Sequence, residues 1–101
     1  MTEARAARKL TAELALRQSR PEAAERYARD ALPLAEAIAR GPDTSAEVGE
    51  MLLLLAKAEL AQHRTPEARV TIERALRCLS NGYGANFATT LEARELLRAQ
   101  G

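Results

Sequence analysis

This sequence predicts an all-α fold, a helical-repeat solenoid of about two helix-turn-helix units plus a C-terminal capping helix, and three observations predict it. A Pro-Glu-Ala step opens a helix twice: Arg20-Pro21-Glu22-Ala23-Ala24 runs into Tyr27, Ala28, Ala31 and Leu32, and Thr65-Pro66-Glu67-Ala68 runs into Ile72, Ala75 and Leu76. The pattern then begins a third time. Apolar residues make up 47% of the chain, yet alanine and leucine supply most of them and only Tyr27, Tyr83 and Phe87 are aromatic, a mixture that favours closely packed helices over strands. Apolar positions three and four apart, punctuated by proline and glycine, recur along the whole length.

The elements follow in order. From about Glu3 to Gln18, Ala7, Leu10 and Leu14 form one narrow apolar stripe among Arg5, Arg8, Glu13 and Arg17, the pattern of an amphipathic helix. Ser19-Arg20-Pro21 ends it, because proline is tolerated in a first helical turn but not in an interior. A second helix carries Ala24, Tyr27, Ala28, Ala31, Leu34, Ala35 and Ile38 on a wide apolar face, with a kink expected at Pro33 or a break near Leu32. Gly41-Pro42-Asp43 closes it. Thr44 and Glu47 read as a capping box for a third helix that runs to about Gln62. Its middle, Met51 to Ala56, is apolar on every side, as in a helix covered on both faces. Thr65 reads as the cap of a fourth helix through Val70, Ile72, Ala75, Leu76 and Leu79, ended by Asn81-Gly82-Tyr83-Gly84. A fifth helix, Ala85 to Ala99, places Glu92, Arg94, Glu95 and Arg98 beside Leu91, Leu96 and Leu97; a polar outer side suits a terminal cap.

With 101 residues the chain is one small domain, in which repeat one covers about 3–40, repeat two about 45–80 and the capping helix about 85–100. Ala31-Leu32 recurs as Ala75-Leu76, and Leu54-Leu55 as Leu96-Leu97, a period of roughly 42 to 44 residues that lies near those of known helical repeats. The stretch Leu55-Ala56, Thr65-Pro66-Glu67-Ala68, Ile72, Ala75, Leu76 resembles a tetratricopeptide repeat, in which a large-small pair on the first helix meets small and large residues on the second. Ala31-Leu32 through Gly41-Pro42-Asp43 to Leu55-Ala56 is similar to the long-helix variant of kinesin light chain and of many bacterial regulatory proteins. Arg8, Thr11 and Glu59 depart from the pattern, each where a large apolar or aromatic residue is usual. An antiparallel bundle of four or five helices is the alternative with the same periodicity.

Several functions are disfavoured. Fifteen basic residues against fourteen acidic ones, interspersed along the helices, give no basic stripe for nucleic acid. The lone Cys78 and the lone His63 cannot build a metal site without other ligands. Arg74 and Arg77 could lower the Cys78 pKa, but no paired base accompanies it. Asn81-Gly82-Tyr83-Gly84-Ala85-Asn86 lacks the Lys-Ser/Thr of a phosphate loop. Neither an enzyme nor a cofactor is expected. The longest apolar run is too short for a membrane span, and residues 1–17 lack the apolar core of a secretory signal, so a cytoplasmic location is expected.

The resemblance implies a concave groove lined by the first helix of each unit. Carried over position by position, it places Lys9, Glu13, Leu16 and Arg17 on that surface from repeat one, Glu50, Leu53, Leu54, Lys57 and Ala61 from repeat two, and Glu92, Glu95 and Leu96 from the cap. Asparagines often clamp a peptide backbone there, since an amide both donates and accepts; leucine at 53 and 54 points instead to an apolar partner surface or to an interior. The expected function is a non-catalytic protein-interaction scaffold that binds a peptide or amphipathic helix of another protein. The alternative is a homodimer with the Met51–Leu55 stripe as its seam.

Overall fold

A computed structural model describes residues 2–41 and 43–100, with side chains from Lys9 onward. The expectations for Ala7 and Arg8 as side chains, and for Pro42, fall outside the described residues. Five helices follow one another: α1 (Thr2–Arg17), α2 (Pro21–Ile38), α3 (Ala46–Ala61), α4 (Thr65–Tyr83) and α5 (Ala88–Gln100). No strand occurs among the described residues.

Short links dictate the neighbours. Only three residues join α1 to α2, and only three join α3 to α4, so each pair folds back on itself as a hairpin. The two turns are built alike. The Arg20 amide donates to the Ala15 carbonyl and Ser19 to Leu16; the Arg64 amide donates to Glu59 and His63 to Leu60. Ser19 and His63 both take the left-handed conformation, at φ 58° and 63°, the backbone reversal that satisfies the last carbonyls of a helix. His63 is therefore a turn residue. Burial also recurs across the two hairpins: Ala12 with Ala56, Ala24 with Ala68, Ala28 with Ile72, Ala31 with Ala75 and Ala35 with Leu79 are all buried.

The third helix lies at the centre, packed against α1, α2 and α4, while α5 packs on α4. This explains its composition. Met51 through Ala56 are all buried because neighbours cover α3 on more than one side. Leu52 to Leu55 join Ala28, Ala35, Ala75, Cys78, Leu79 and Ala93 in one core cluster, and Ala15, Ala23, Ala24 and Ala58 form a second at the α1–α2 end. The molecule measures 32 × 30 × 20 Å, so its thin dimension is about two helix diameters. Alanines at the seams make such thinness possible, since a methyl group lets two backbones approach closely. Glycine does the same at two points between α3 and α4. A Cβ on Gly49 would lie 2.8 Å from Leu79 Cγ, and one on Gly82 would lie 2.5 Å from the Ala46 backbone nitrogen.

Several expectations are corrected. Leu10 and Leu14 do not form the buried stripe of α1: they are 61% and 50% exposed, and Ala12 and Ala15 are buried in their place. The alanine-rich face of α2 accepts the smaller stripe because it permits the closer contact. α2 continues through Pro33 to Ile38 without a break. The cap of α3 is Ser45, whose Oγ accepts from the Val48 amide at 3.2 Å, while the Thr44 hydroxyl donates backward to the Gly41 carbonyl. Thr65 is the first residue of α4, and Arg64 precedes it with no side-chain cap bond. α5 begins at Ala88, three residues later than expected, and its outer side is not wholly polar, because Phe87 and Leu91 are exposed there.

Candidate functional site

A trough of about 420 Å³ runs between α1, α3 and α5. Lys9, Glu13, Leu16 and Arg17 form one wall; Glu50, Leu53, Leu54 and Lys57 form the floor and the second wall; Thr89 and Glu92 contribute from α5. Nine of the twelve positions to which the resemblance points thus lie together. Glu95 lies elsewhere: it is largely exposed and faces Arg98 at 3.6 Å on the outer side of α5. Ala61 is exposed at the end of α3 and Leu96 packs against the core, so neither lines the trough. Thr89 joins the nine without having been expected; its one sequence signal is its spacing of one turn from Glu92.

The trough is polar above and apolar beneath. Lys9 pairs with Glu50 at 3.2 Å, and the Tyr83 hydroxyl donates to the other oxygen of Glu50 at 3.0 Å. Lys57 pairs with Glu92 across the opposite end. Glu13 and Arg17 make no ion pair or side-chain hydrogen bond with a described residue. Partial burial and the Glu50 carboxylate hold the Tyr83 phenol above its ordinary pKa. The ring stacks on Phe87 at 4.2 Å between centroids, next to the exposed Leu91.

Leu53 and Leu54 are floor residues, 3% and 6% exposed. Of the two readings, partner surface or interior, burial supports the interior one: neighbouring helices already cover them. The same finding removes the Met51–Leu55 stripe as a homodimer seam, because all five residues are buried within one chain and a second copy could reach them only by unpacking the core.

Two polar clusters fix the frame around the trough. Asp43, left-handed at φ 53°, ties the α2–α3 link to α4. Its carboxylate accepts from Arg74 Nε at 3.0 Å and Arg77 Nε at 3.2 Å, and its carbonyl accepts from Asn81 Nδ2 at 2.8 Å. The Arg74 guanidinium holds the Asp43 carboxyl below the usual carboxylate range and bonds Glu36 as well. The Cys78 thiol also points at Asp43, at 3.6 Å. Burial, joined by that carboxylate, pushes it up to about 11, opposite to the direction the neighbouring arginines suggested. They are engaged by Asp43, and the thiol stays protonated near neutral pH.

The second cluster closes the α1–α2 and α3–α4 turns against each other. Glu25 accepts from Arg64, from Gln62 at 2.9 Å and from Arg29 at 2.9 Å, and Arg29 reaches the buried Glu59 at 3.6 Å. The other Glu59 oxygen has no hydrogen-bond partner, a cost the fold tolerates beside two arginines. Chiefly through the Arg64 bond, the Glu25 carboxyl is held at about 2 instead of 4.5. A carboxyl depressed in the folded state stabilises above its unfolded pKa and loses that contribution as pH falls through the folded value. The melting temperature of the native chain should therefore exceed that of Glu25→Gln near pH 7, with the difference shrinking between about pH 4.5 and 2. Thermal melts of both proteins across that range check it.

Among the described residues no group of three or more His, Cys, Asp or Glu is placed to hold a metal ion, and no helix is long and apolar enough to cross a membrane. The trough presents ion pairs, a hydroxyl and an apolar floor. The protein that fold and site define is an all-helical one with an open, charge-lined groove. Comparison of the chain with protein-family models, curated proteins and solved structures gives no match.

Proposed function

We propose that this chain is a non-catalytic protein-interaction module of tetratricopeptide-like build, which holds a segment of another protein in the trough between α1, α3 and α5. The observation that carries the reading is convergence. Nine of the residues that the repeat register assigns to a concave face line one groove. The two like-built hairpin turns and the matching buried positions support the repeat architecture. Of the ten lining residues only three are leucines, and two of those are already buried. The groove thus favours a polar, charged peptide over the apolar face of an amphipathic helix, which needs continuous apolar anchors. A photo-crosslinking side chain at Glu13, with Arg69 on the exposed side of α4 as control, tests this in the cell of origin. A polypeptide adduct formed from position 13 and not from 69 is the expected result; equal labelling at both, or none at 13, would overturn the proposal.

A further inference from the structure

The charges of the trough are unequal in availability. Three cations, Lys9, Arg17 and Lys57, face three anions, Glu13, Glu50 and Glu92. Four of the six neutralise one another inside the chain, Lys9 with Glu50 and Lys57 with Glu92. Among the described residues Glu13 and Arg17 have no bonded partner; they stand on the same wall, with the half-buried Leu16 beside them. Their positions, four apart on α1, place their side chains about 5–6 Å from each other along the helix.

The lining decides what can lie against them. Of its three leucines, Leu53 and Leu54 are already buried, so a helix would find no run of exposed apolar anchors over two turns. An extended chain advances about 3.3 Å per residue, so side chains two apart on one face stand about 6.6 Å from each other, close to the separation of Glu13 and Arg17.

Resting on the function proposed above, we infer that the segment held in the trough is an extended peptide with a basic and an acidic side chain two positions apart, the base on Glu13 and the acid on Arg17. Complementary charge sets the register and direction of the peptide, and the buried floor contributes little. Recognition works through side chains, in keeping with the absence of a backbone-clamping asparagine at 53 and 54.

Selection from a phage-displayed library of random 12-residue peptides tests this. The native chain and the charge-exchanged Glu13→Lys/Arg17→Glu double variant serve as baits, after circular dichroism has shown that both are folded with similar melting temperatures. Both side chains line the trough and neither belongs to the buried core, so the exchange leaves core packing untouched. The native chain should enrich peptides with opposite charges two apart, and the double variant should enrich the reverse order. A peptide selected by one bait should bind the other about tenfold more weakly, as two exposed ion pairs turn repulsive, and the difference should shrink at high salt. Peptides shared by both baits, or lacking the charge pair, would overturn the inference while leaving the groove as a peptide site. If no selected peptide shifts the amide resonances of α1 and α3, the groove reading and the inference fail together.

Discussion

Gly49→Ala and Leu79→Ala should each destabilise the protein, and the double substitution should cost clearly less than the two added together. Leu79 is fully buried and lies against Gly49, where an added Cβ would come within 2.8 Å of Leu79 Cγ and 3.0 Å of Leu79 Cδ2. Truncating Leu79 opens a cavity at the α3–α4 seam, at about 2–5 kcal/mol for a buried Leu→Ala change. Adding a methyl group at Gly49 overpacks the same point, at about 1–3 kcal/mol. Alanine is the better helix former by about 1 kcal/mol, which offsets part of that second cost without reversing its sign. In the double variant the new methyl group enters the space that Leu79 vacates. Relief is incomplete because Cys78 Cβ also lies 3.0 Å away. Urea denaturation of the four proteins gives the coupling directly, with roughly 0.5–3 kcal/mol expected for residues in contact; additive costs would place the two helices further apart than described.

Gly82→Ala should lower the melting temperature by about 10 °C or more, whereas Gly41→Ala should leave it nearly unchanged. At Gly82 the obstacles are Ala46 N at 2.5 Å, Ala46 Cβ at 2.7 Å and Ala46 Cα at 2.9 Å. No side-chain rotation can move a backbone, so the start of α3 must separate from the end of α4. That shift also disturbs the Ser45 cap on Val48, an interaction of about 1 kcal/mol in its own right. A combined loss of about 2–3 kcal/mol corresponds to roughly 10–20 °C in a domain of this size. At Gly41 the nearest atoms, both from the Thr44 side chain, lie at 3.6 and 3.7 Å, an ordinary contact. Differential scanning calorimetry of the two variants separates the cases, and equal melting temperatures would contradict the close approach at Gly82.

Much of the helical framework was legible because each helix carries its own signals. Pro21 and Pro66 mark two starts, the residues around Gly84 mark an end, and the all-round apolar run of α3 announced a central helix. The same local logic erred where two neighbouring residues could do one job. Thr44 and Ser45 both suit a cap, and only the entry angle of α3 selects Ser45. Ala85 and Ala88 both suit a helix start, and only the turn after Gly84 selects Ala88.

By itself, then, the sequence determined that the chain is all helical and where its hairpins turn, since periodicity and proline act within a few residues. Only the tertiary structure decided which stripes are covered. α1 carries two, Leu10 with Leu14 and Ala12 with Ala15, and the alanine surface of α2 takes the smaller because closer backbones gain more contact than larger side chains held apart. Leu53 and Leu54 became floor instead of exposed anchors because neighbouring helices cover α3. The availability of Glu13 and Arg17 was settled in the same way: Lys9–Glu50 and Lys57–Glu92 pair across helices that meet only when the chain is folded, and no local pattern specifies which charges such meetings leave over.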